Sequence, residues 1–455
     1  MNYSYRSSFN MSIKRTLIKN TGFNLAGYFY LLIASFFSIS ILLNNLGRDV
    51  LGVYIFLMSF ISLAAVFDFG ISNAVVRKLS LPHITREEKV KTWKTSFAIF
   101  IFLALILFCV ILGLLVFLTR TMPIFSHIDH TTINATILIL SFIVFINHLN
   151  THFLTLPQAE QRFDIFNSKT LLVGTANTVI SAVISGIYPS ISIIFFVQLI
   201  FHLLTFCFMI AYSSKIFPGR DFGPGYDSGA GRELFSFGLR NFIATLSGQV
   251  ENQFSNFILG AMISARAVTS FSIPQSIVAK GAGVVSQFAQ AFFPLSTSLL
   301  EKDRIQKLKK LVLGVEVLTL SGGVLAVFLS FTIGQQFLQW WLKDAIVVQM
   351  AFPILKILSF YFLLVSLTPV PTVLLQGLNK PQIPSFFGAL TVTLEIIFSL
   401  LLIPMGAIGV AYAFLASVSI TVPLILIVTW KQLEKEIRKL TVSEVSISRP
   451  DVPQL

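Results

Sequence analysis

The chain has 455 residues, of which 55% are hydrophobic and only 12% are charged, whereas soluble domains carry about 25% charged residues. This balance, together with long uncharged runs, excludes the soluble class and predicts a polytopic membrane protein. The net charge of +13 indicates topology rather than nucleic-acid binding, because Lys and Arg set the orientation of membrane proteins. Cys109 and Cys207 lie inside apolar runs, so neither a disulfide framework nor redox chemistry is expected.

Twelve segments have the roughly 20 mostly apolar residues that a transmembrane helix needs. We predict these helices at residues 20–44, 51–76, 95–118, 133–157, 169–188, 190–212, 238–262, 267–297, 309–333, 348–375, 383–403 and 406–430. The expected architecture is therefore all-α, with an N-lobe of six helices over 20–212 and a C-lobe of six over 238–430. The glycine-rich segment 213–237 is expected to be a flexible cytoplasmic linker. Residues 1–19 and the tail 431–455 are expected to be cytoplasmic as well.

The distribution of Lys and Arg supports this orientation. With a cytoplasmic N-terminus, 27 of the 33 basic residues fall in predicted cytoplasmic segments and four fall in predicted outer loops. This asymmetry predicts that both termini are cytoplasmic. Trp93 and Trp430 fall at predicted inner boundaries, and Trp340 and Trp341 fall at an outer boundary. These positions are typical of an aromatic belt at the membrane interface.

A shift of 217 residues superposes the start of each half of the chain. The shift places Ser35 on Asn252 and Asn24 on Asn241, and it superposes the short connections 46–48 and 263–265. The matched polar positions share one face of predicted helices 1 and 7. Such a repeat predicts two halves of the same orientation, related by an axis along the membrane normal. Chance matching of low-complexity apolar sequence is the alternative.

Predicted helices 7 and 8 carry polar side chains at membrane depth. Asn252 and Asn256 lie on a polar face with Glu251 at its edge, and the next helix carries Lys280 and Gln287. Glu251 and Lys280 lie 13 and 16 residues from the intervening turn, which places both near mid-membrane. An ion pair between them could simply lock two helices together. Alternatively, Lys280 offers positive charge to an anionic ligand, and Glu251 holds it until that ligand arrives.

Four further charged side chains are candidates for coupling or gating, because charges at membrane depth usually face the bundle interior or a cavity. Asp68 lies near the inner end of predicted helix 2, and Arg77 follows nine residues later. A helix-end role or an inner-gate contact fits Asp68 better than ion coupling. Glu316 and Glu395 are isolated in the sequence, and each is either a protonated buried carboxyl or a coupling site.

Several function classes lack their signatures. There is no Walker sequence for ATP and no Cys/His cluster with zinc spacing, so we expect no catalytic residue and no cofactor. His148, His152 and His202 lie inside apolar segments. Buried histidines are more often hydrogen-bonding groups than proton carriers, and we expect the former here.

Two stretches resemble a known family. The first consists of residues 45–54, NLGRDVLGVY, followed by residues 67–77, FDFGISNAVVR. The second is residues 375–381, LQGLNKP, which has a weaker counterpart at 158–163. These resemble the O-antigen and capsular polysaccharide flippases of the multidrug/oligosaccharidyl-lipid/polysaccharide exporter superfamily. The likeness covers nearly the whole chain through helix number and spacing, although the sequence motifs are loose.

The resemblance implies two lobes that work by alternating access in the bacterial inner membrane. The cargo would be an undecaprenyl-diphosphate-linked oligosaccharide carried to the periplasmic leaflet, and the partners would be membrane lipids, a polysaccharide polymerase and a chain-length regulator. The family's cationic cavity would be supplied here by Lys280 and Arg240, and Asp68 and Arg77 would be structural or gating residues. An ion-coupled multidrug exporter of the same fold is the first alternative. A membrane scaffold without transport is the second.

Overall fold

The computed structural model describes residues 2–291, 305–378 and 380–447, and the regular elements within these ranges are all helical. The chain falls into two compact units, Met1–Thr269 and Ser270–Leu455. The first unit contains α1 (Asn2–Ala64), α2 (Ile71–Leu79), α3 (Arg86–Thr121), α4 (His130–Ala159), α5 (Phe163–Thr175), α6 (Ser181–Ile187), α7 (Ile191–Ile216) and α8 (Ser228–Met262).

The second unit contains nearly all of α9 and the helices that follow it. These are α9 (Ala265–Ala291), α10 (Ile305–Thr332), α11 (Gly334–Leu342), α12 (Ala345–Val365), α13 (Pro369–Gly377), α14 (Gln382–Leu402) and α15 (Gly406–Ile447). In the first unit, α4 packs between α3 and α7, and α8 packs against α1 and α2. In the second, α12 packs against α10 and α15, and α14 packs against α15.

Within the described ranges, eight helical stretches are long and apolar enough to cross a membrane. Two of these, Ala26–Asp68 and Gln382–Glu436, are 43 and 55 residues long, about twice the 20 residues that one crossing requires. Each is interrupted by a glycine in a conformation that other residues rarely adopt, Gly47 at φ 76° and Gly406 at φ 65°. The chain is therefore an all-α polytopic membrane protein, and the predicted count of twelve crossings remains a prediction.

Several helix boundaries differ from those predicted. Predicted helix 2 does not continue to residue 76, because the chain turns at Phe69 and Gly70, both left-handed, before α2 begins. Predicted helix 5 begins at Phe163 rather than at residue 169. Predicted helix 10 is divided into α12 and α13, since the chain turns after Val365 and Pro369, which has no amide hydrogen to donate, occupies the first position of a new helix.

Trp93 shows that the predicted aromatic belt is wrong at one position. Its ring is fully buried and lies 4.9 Å from the Phe217 ring and 4.2 Å from the His152 ring. The indole N–H donates to the Phe222 carbonyl oxygen at 3.1 Å. Trp93 is thus a core residue of the first unit, where the segment after α7 folds back onto α3.

The same contacts bear on the segment predicted to be a flexible linker. The Gly225 amide donates to the Lys94 carbonyl oxygen at 3.1 Å, and the Lys91 ammonium lies 3.0 Å from the Asp227 carboxylate. Asp227 also caps α8 by accepting from the Ala230 amide at 2.8 Å. The segment between α7 and α8 is therefore tied to α3 by specific contacts.

Candidate functional site

The part of α1 that follows the break at Gly47 begins next to the start of α9. By the predicted orientation, this contact lies at the outer side of the membrane. The Arg266 guanidinium donates to both carboxylate oxygens of Asp49, at 2.8 and 3.0 Å. The Thr269 hydroxyl donates to the Arg48 carbonyl oxygen at 2.7 Å. Both side chains of the ion pair are partly exposed, and the pKa of Arg266 is raised by its hydrogen bond to Asp49 and by the charge of that carboxylate.

Backbone as well as side chains meet at this contact. A Cβ atom on Gly52 would lie 2.0 Å from the Ala265 carbonyl oxygen, so the absence of a side chain permits the approach. Asp49 and Arg266 are separated by 217 residues. This separation equals the shift of the repeat inferred from sequence, so one pair of positions that the repeat makes equivalent lies side by side.

A second close contact, on the predicted inner side, joins the start of α2 to α8. A Cβ on Gly70 would lie 2.5 Å from the Gly238 carbonyl oxygen, and the Lys78 ammonium contacts Glu233 at 2.9 Å. Arg77, a predicted gating residue, is exposed and places its guanidinium 4.7 Å from the Phe237 ring centre. Within the first unit, the start of α2 is thus packed against the first half of α8.

Asp68, the second predicted gating residue, stabilises the turn that makes this approach possible. Asp68 is 8% exposed, and its carboxylate accepts from the Gly70 amide at 2.8 Å and from the Ser72 hydroxyl. These bonds satisfy donors at the start of α2. The geometry matches a helix-end role.

The predicted polar face of α8 divides into two parts. Asn256 is 6% exposed and donates to the Ser59 hydroxyl at 2.9 Å, so it joins α8 to α1. Asn252 is exposed and donates to the Gly248 carbonyl oxygen of its own helix. Glu251 is half-buried.

On α1, Ser35 is half-buried and its hydroxyl donates to the Leu32 carbonyl oxygen. The structure therefore leaves its side chain bonded to its own helix. The side chains of Asn24 and Arg240 lie outside the described residues.

In the second unit, Lys280 is half-buried on α9 and Gln287 is exposed two turns further along. Among the described residues of that unit, no acidic side chain lies within the 4.0 Å of an ion pair with Lys280. A Lys inside a membrane protein without an acidic partner is a default candidate for ligand binding. Glu251 belongs to the other unit, and its pairing with Lys280 stays a prediction.

The two remaining carboxyls also lie in the second unit. Glu395 is 2% exposed and receives a long hydrogen bond of 3.5 Å from the Ser417 hydroxyl of α15. One turn away, the Thr391 hydroxyl donates to the Thr421 hydroxyl at 2.9 Å. Glu395 therefore lies in a polar seam between α14 and α15, whereas Glu316 on α10 is half-buried.

Sequence reasoning missed Lys169. The residue was expected at the first position of predicted helix 5 and was counted with the cytoplasmic basic residues, but α5 begins six residues earlier, so Lys169 lies nearly two turns inside a helix and is half-buried. The polar residues on both sides of position 163 hid the helix start from a hydropathy window. Asp164 in the first turn of α5 was the local signal that could have indicated it.

A protein-family model described as "Polysaccharide biosynthesis protein" matches residues 17–300. The chain belongs to this family. A relative in Shigella flexneri, named "Putative O-antigen transporter", is 21% identical over 377 residues, which are 81% of this chain and 86% of that protein. The sequence resemblance to polysaccharide flippases is thus confirmed at the level of the family.

Two solved structures share the fold of this family member. The lipid II flippase MurJ in an inward closed conformation superposes with a TM-score of 0.71 at 16% identity, over 95% of this chain and 93% of that one. An inward-facing multidrug resistance MATE transporter of the MOP superfamily superposes with a TM-score of 0.66 at 14% identity, over 93% and 95%. These likenesses establish a fold common to flippases and multidrug transporters.

Proposed function

We propose that this protein is a flippase for an undecaprenyl-diphosphate-linked oligosaccharide, an O-antigen or capsule repeat unit. Cargo would move from the cytoplasmic to the periplasmic leaflet of the bacterial inner membrane. Membership of the polysaccharide biosynthesis family and the likeness to a protein named as an O-antigen transporter support this class of cargo. The observation that carries the proposal is Lys280, a half-buried lysine on a helix predicted to cross the membrane, with no acidic partner in the described part of its unit.

The chemistry of the cargo explains why such a residue is needed. A diphosphate and many sugar hydroxyls cannot enter hydrocarbon without a large loss of hydration. An ammonium offsets phosphate charge through charge-assisted hydrogen bonds, and exposed amides such as those of Asn252 and Gln287 replace water around sugars. Arg240 is the second cation that we assign to the cargo, and Asn256, Asn24 and Ser35 complete the proposed polar lining.

The transport cycle would follow from alternating access by two lobes of six helices each, with both termini cytoplasmic. We assign the contact of Asp49 with Arg266, together with the neighbouring approach of Gly52 to Ala265, to closure of the periplasmic side, because Asp49 and Arg266 are repeat-equivalent positions. Asp68 and Arg77 would support closure at the cytoplasmic end. Glu251, Glu316 and Glu395 are the carboxyls proposed for coupling. A polymerase and a chain-length regulator would act on the released product.

The test is complementation of a bacterium lacking the chromosomal copy. Wild type should restore surface polysaccharide, and Lys280→Ala should lose it while lipid-linked intermediates accumulate at normal protein level. Lys356→Ala is the matched control, since Lys356 is also intramembrane but packs over the Phe352 ring at 4.7 Å. Intact surface polysaccharide in the deletion strain would show that the proposed function is wrong.

A multidrug exporter is the second candidate, because the fold matches a multidrug transporter over 93% of this chain. Export of cationic dyes from intact cells, lost in the deletion strain while surface polysaccharide is unchanged, would favour it.

A further inference from the structure

An apolar groove lies in the first unit between the first half of α1 and the segment that contains α6. We call it the α1–α6 groove. Its volume is about 330 Å³, within the range of about 300–1,000 Å³ that ligand pockets occupy. Both walls belong to stretches that are long and apolar enough to cross a membrane, Ala26–Asp68 and Phe163–Ile187. Six lining residues lie on α1, and three lie opposite, at Val179, Ala182 and Val183.

Hydrogen bonds join the two walls at both ends of the α1–α6 groove. At one end, the Tyr30 hydroxyl is hydrogen-bonded to the Thr175 hydroxyl at 3.1 Å. At the other end, the Asn45 amide donates to the Ser185 hydroxyl at 3.0 Å. Asn45 follows Tyr30 by 15 residues, which is about 22 Å of helix and most of the about 30 Å of a bilayer's hydrocarbon core. The walls are thus fixed at two levels and separate between them.

The wall opposite α1 contains a π-helical turn, Ala176–Ile180, and Val179 of this turn lines the groove. The Tyr54 hydroxyl donates to one carbonyl oxygen of the turn at 3.3 Å, and the Ser181 hydroxyl donates to another at 2.7 Å. The Gln198 amide of α7 donates to both hydroxyls, at 2.9 and 2.8 Å. Single π-helical turns are rare and are found mostly at functional sites. Polar side chains from three helices therefore maintain the shape of this wall.

The groove is open to its surroundings along its length. Ile33, Phe37 and Val183 line it, and each is more than half exposed. None of the described lining residues is charged, and the hydroxyls of Tyr30 and Ser38 are already hydrogen-bonded within the protein. A phosphate or a sugar would lose its hydration here without replacement. A hydrocarbon chain loses no such hydration and gains dispersion contacts along both walls, so the ligand that fits is a lipid chain.

The groove has small residues between large ones. On α1, Ala34 is about one turn from both Tyr30 and Phe37, and on the facing wall Ala182 is buried next to the exposed Val183. A straight acyl chain leaves such notches empty and forfeits contacts there, whereas the methyl branch on every isoprene unit can fill them. Ordinary membrane lipids also cover any apolar helix face without a shaped site. The shape therefore favours an isoprenoid chain.

The same helix connects the groove to the proposed polar lining. Ser35, which we assign to the cargo, lies two residues from Ile33 and two residues from Phe37. Two residues correspond to about 200° of rotation on a helix, so Ser35 lies on the opposite side of α1 from these two lining residues. A cargo with a polar head and an apolar tail can therefore meet a polar group on one side of α1 and the groove on the other.

We propose that the α1–α6 groove binds the isoprenoid tail of the lipid-linked cargo, an inference that rests on the proposed function. The tail lies along α1 between the Tyr30–Thr175 and Asn45–Ser185 contacts, while the polar lining holds the diphosphate and sugars. The groove thereby recognises the carrier lipid whatever oligosaccharide is attached to it.

The test is photo-cross-linking of the purified full chain in phospholipid vesicles. The photoreactive p-benzoylphenylalanine replaces Phe37 in the groove, or Phe102 of α3, which is 63% exposed and reports contact with surrounding lipid. Each protein is illuminated with a radiolabelled undecaprenyl-diphosphate oligosaccharide. Excess unlabelled undecaprenyl phosphate, which has the tail but no sugar, should abolish labelling at Phe37. The soluble sugar diphosphate without a tail should not, and labelling at Phe102 should be weak and unchanged by both.

Filling the groove provides a second arm. Val183→Trp places a bulky ring at its opening and should lower the competed labelling at Phe37 by about tenfold. Val110→Trp on α3 is the matched control, because Val110 is 53% exposed against 56% for Val183 and lies outside the groove. The control should keep the labelling of the parent protein. Both positions are exposed, and thermal unfolding verifies that each variant is folded.

The outcomes separate the groove from the proposed function. Equal, uncompeted labelling at Phe37 and Phe102 shows contact with surrounding lipid only and overturns the groove. Competition by the soluble sugar diphosphate overturns it as well, since the head would then occupy the site. Flipping of a fluorescent cargo is measured in parallel with the wild-type chain. Cargo movement without specific labelling at Phe37 leaves the function standing and the groove refuted. Specific labelling by a chain that moves no cargo leaves an isoprenoid-binding groove and overturns the function.

Discussion

Replacing Gly52 by alanine tests the contact at the predicted outer end of α1. The new Cβ would lie 2.0 Å from the carbonyl oxygen, 2.6 Å from the carbonyl carbon and 2.9 Å from the Cα of Ala265. All three are backbone atoms and cannot rotate away, so the first turn of α9 must move from α1 by about an ångström or more to restore normal contact distances. Such a shift loosens the Thr269 hydrogen bond and the pairing of Arg266 with Asp49.

The free-energy change follows from these parts. Overpacking against rigid atoms costs about 1–3 kcal/mol. The hydrogen bond contributes about 0.5–1.5 kcal/mol, and the partly exposed ion pair about 0.2–1 kcal/mol. Alanine returns up to about 1 kcal/mol because it is the better helix former. Because the two polar contacts are loosened rather than broken, only part of their contribution is lost, and this part roughly offsets the gain in helix propensity. The net loss is then close to the overpacking cost, about 1–3 kcal/mol, which corresponds to a shift of about 5–150-fold towards the open contact.

The assay is the labelling rate of a cysteine introduced at Ala267, which is 4% exposed, after replacement of Cys109 and Cys207 by serine. A membrane-impermeant maleimide should react about 5–150-fold faster when Gly52→Ala is present. Gly113→Ala on α3 is the control, because no atom lies within 4 Å of the added Cβ. Equal labelling rates for the Gly52→Ala protein and its parent would refute the assignment of this contact to closure.

Three further predictions concern the first unit. Asp49→Arg alone should lower the melting temperature and slow flipping, because it places two positive charges side by side. Adding Arg266→Asp should restore both properties, because the repulsion becomes an attraction again. A double variant no better than the single one would contradict this. Gly70→Ala should destabilise the folded protein by about 2 kcal/mol or more. The φ of Gly70, 72°, is left-handed, and a Cβ there would meet a backbone oxygen at 2.5 Å. Chemical denaturation in detergent measures the loss, and an unchanged midpoint would refute the prediction. The pKa of Asp227 is lowered chiefly by the hydrogen bond from the Ala230 amide and then by Lys91. The stabilisation that Asp227 contributes should therefore be complete at pH values above the pKa of the unfolded chain, and it should disappear as the pH falls through the lower pKa of the folded protein. In thermal melts, Asp227→Asn should destabilise the protein at pH 7 but not at strongly acidic pH.

The candidate site shows where sequence reasoning reached its limit. Lys280 on a polar helix could be singled out from sequence, because a charge inside a membrane helix departs from the surrounding apolar pattern whatever the neighbours are. Lys169 could not, because a lysine near a helix end and a lysine in a loop look alike in a hydropathy window. Asn256 was expected on the polar face of its helix, whereas its burial against Ser59 depends on the partner helix.

The sequence by itself determined that the chain is helical and membrane-embedded, because apolar content and run length are properties of the residues alone. It also contained the 217-residue shift, which reappears as the separation of Asp49 and Arg266. Only the tertiary structure decided that Trp93 is a core residue and that Asn150 of α4 bonds to His202 and Thr205 of α7. Both outcomes depend on which helices become neighbours, and helix pairing is set by close packing of side chains far apart in the chain.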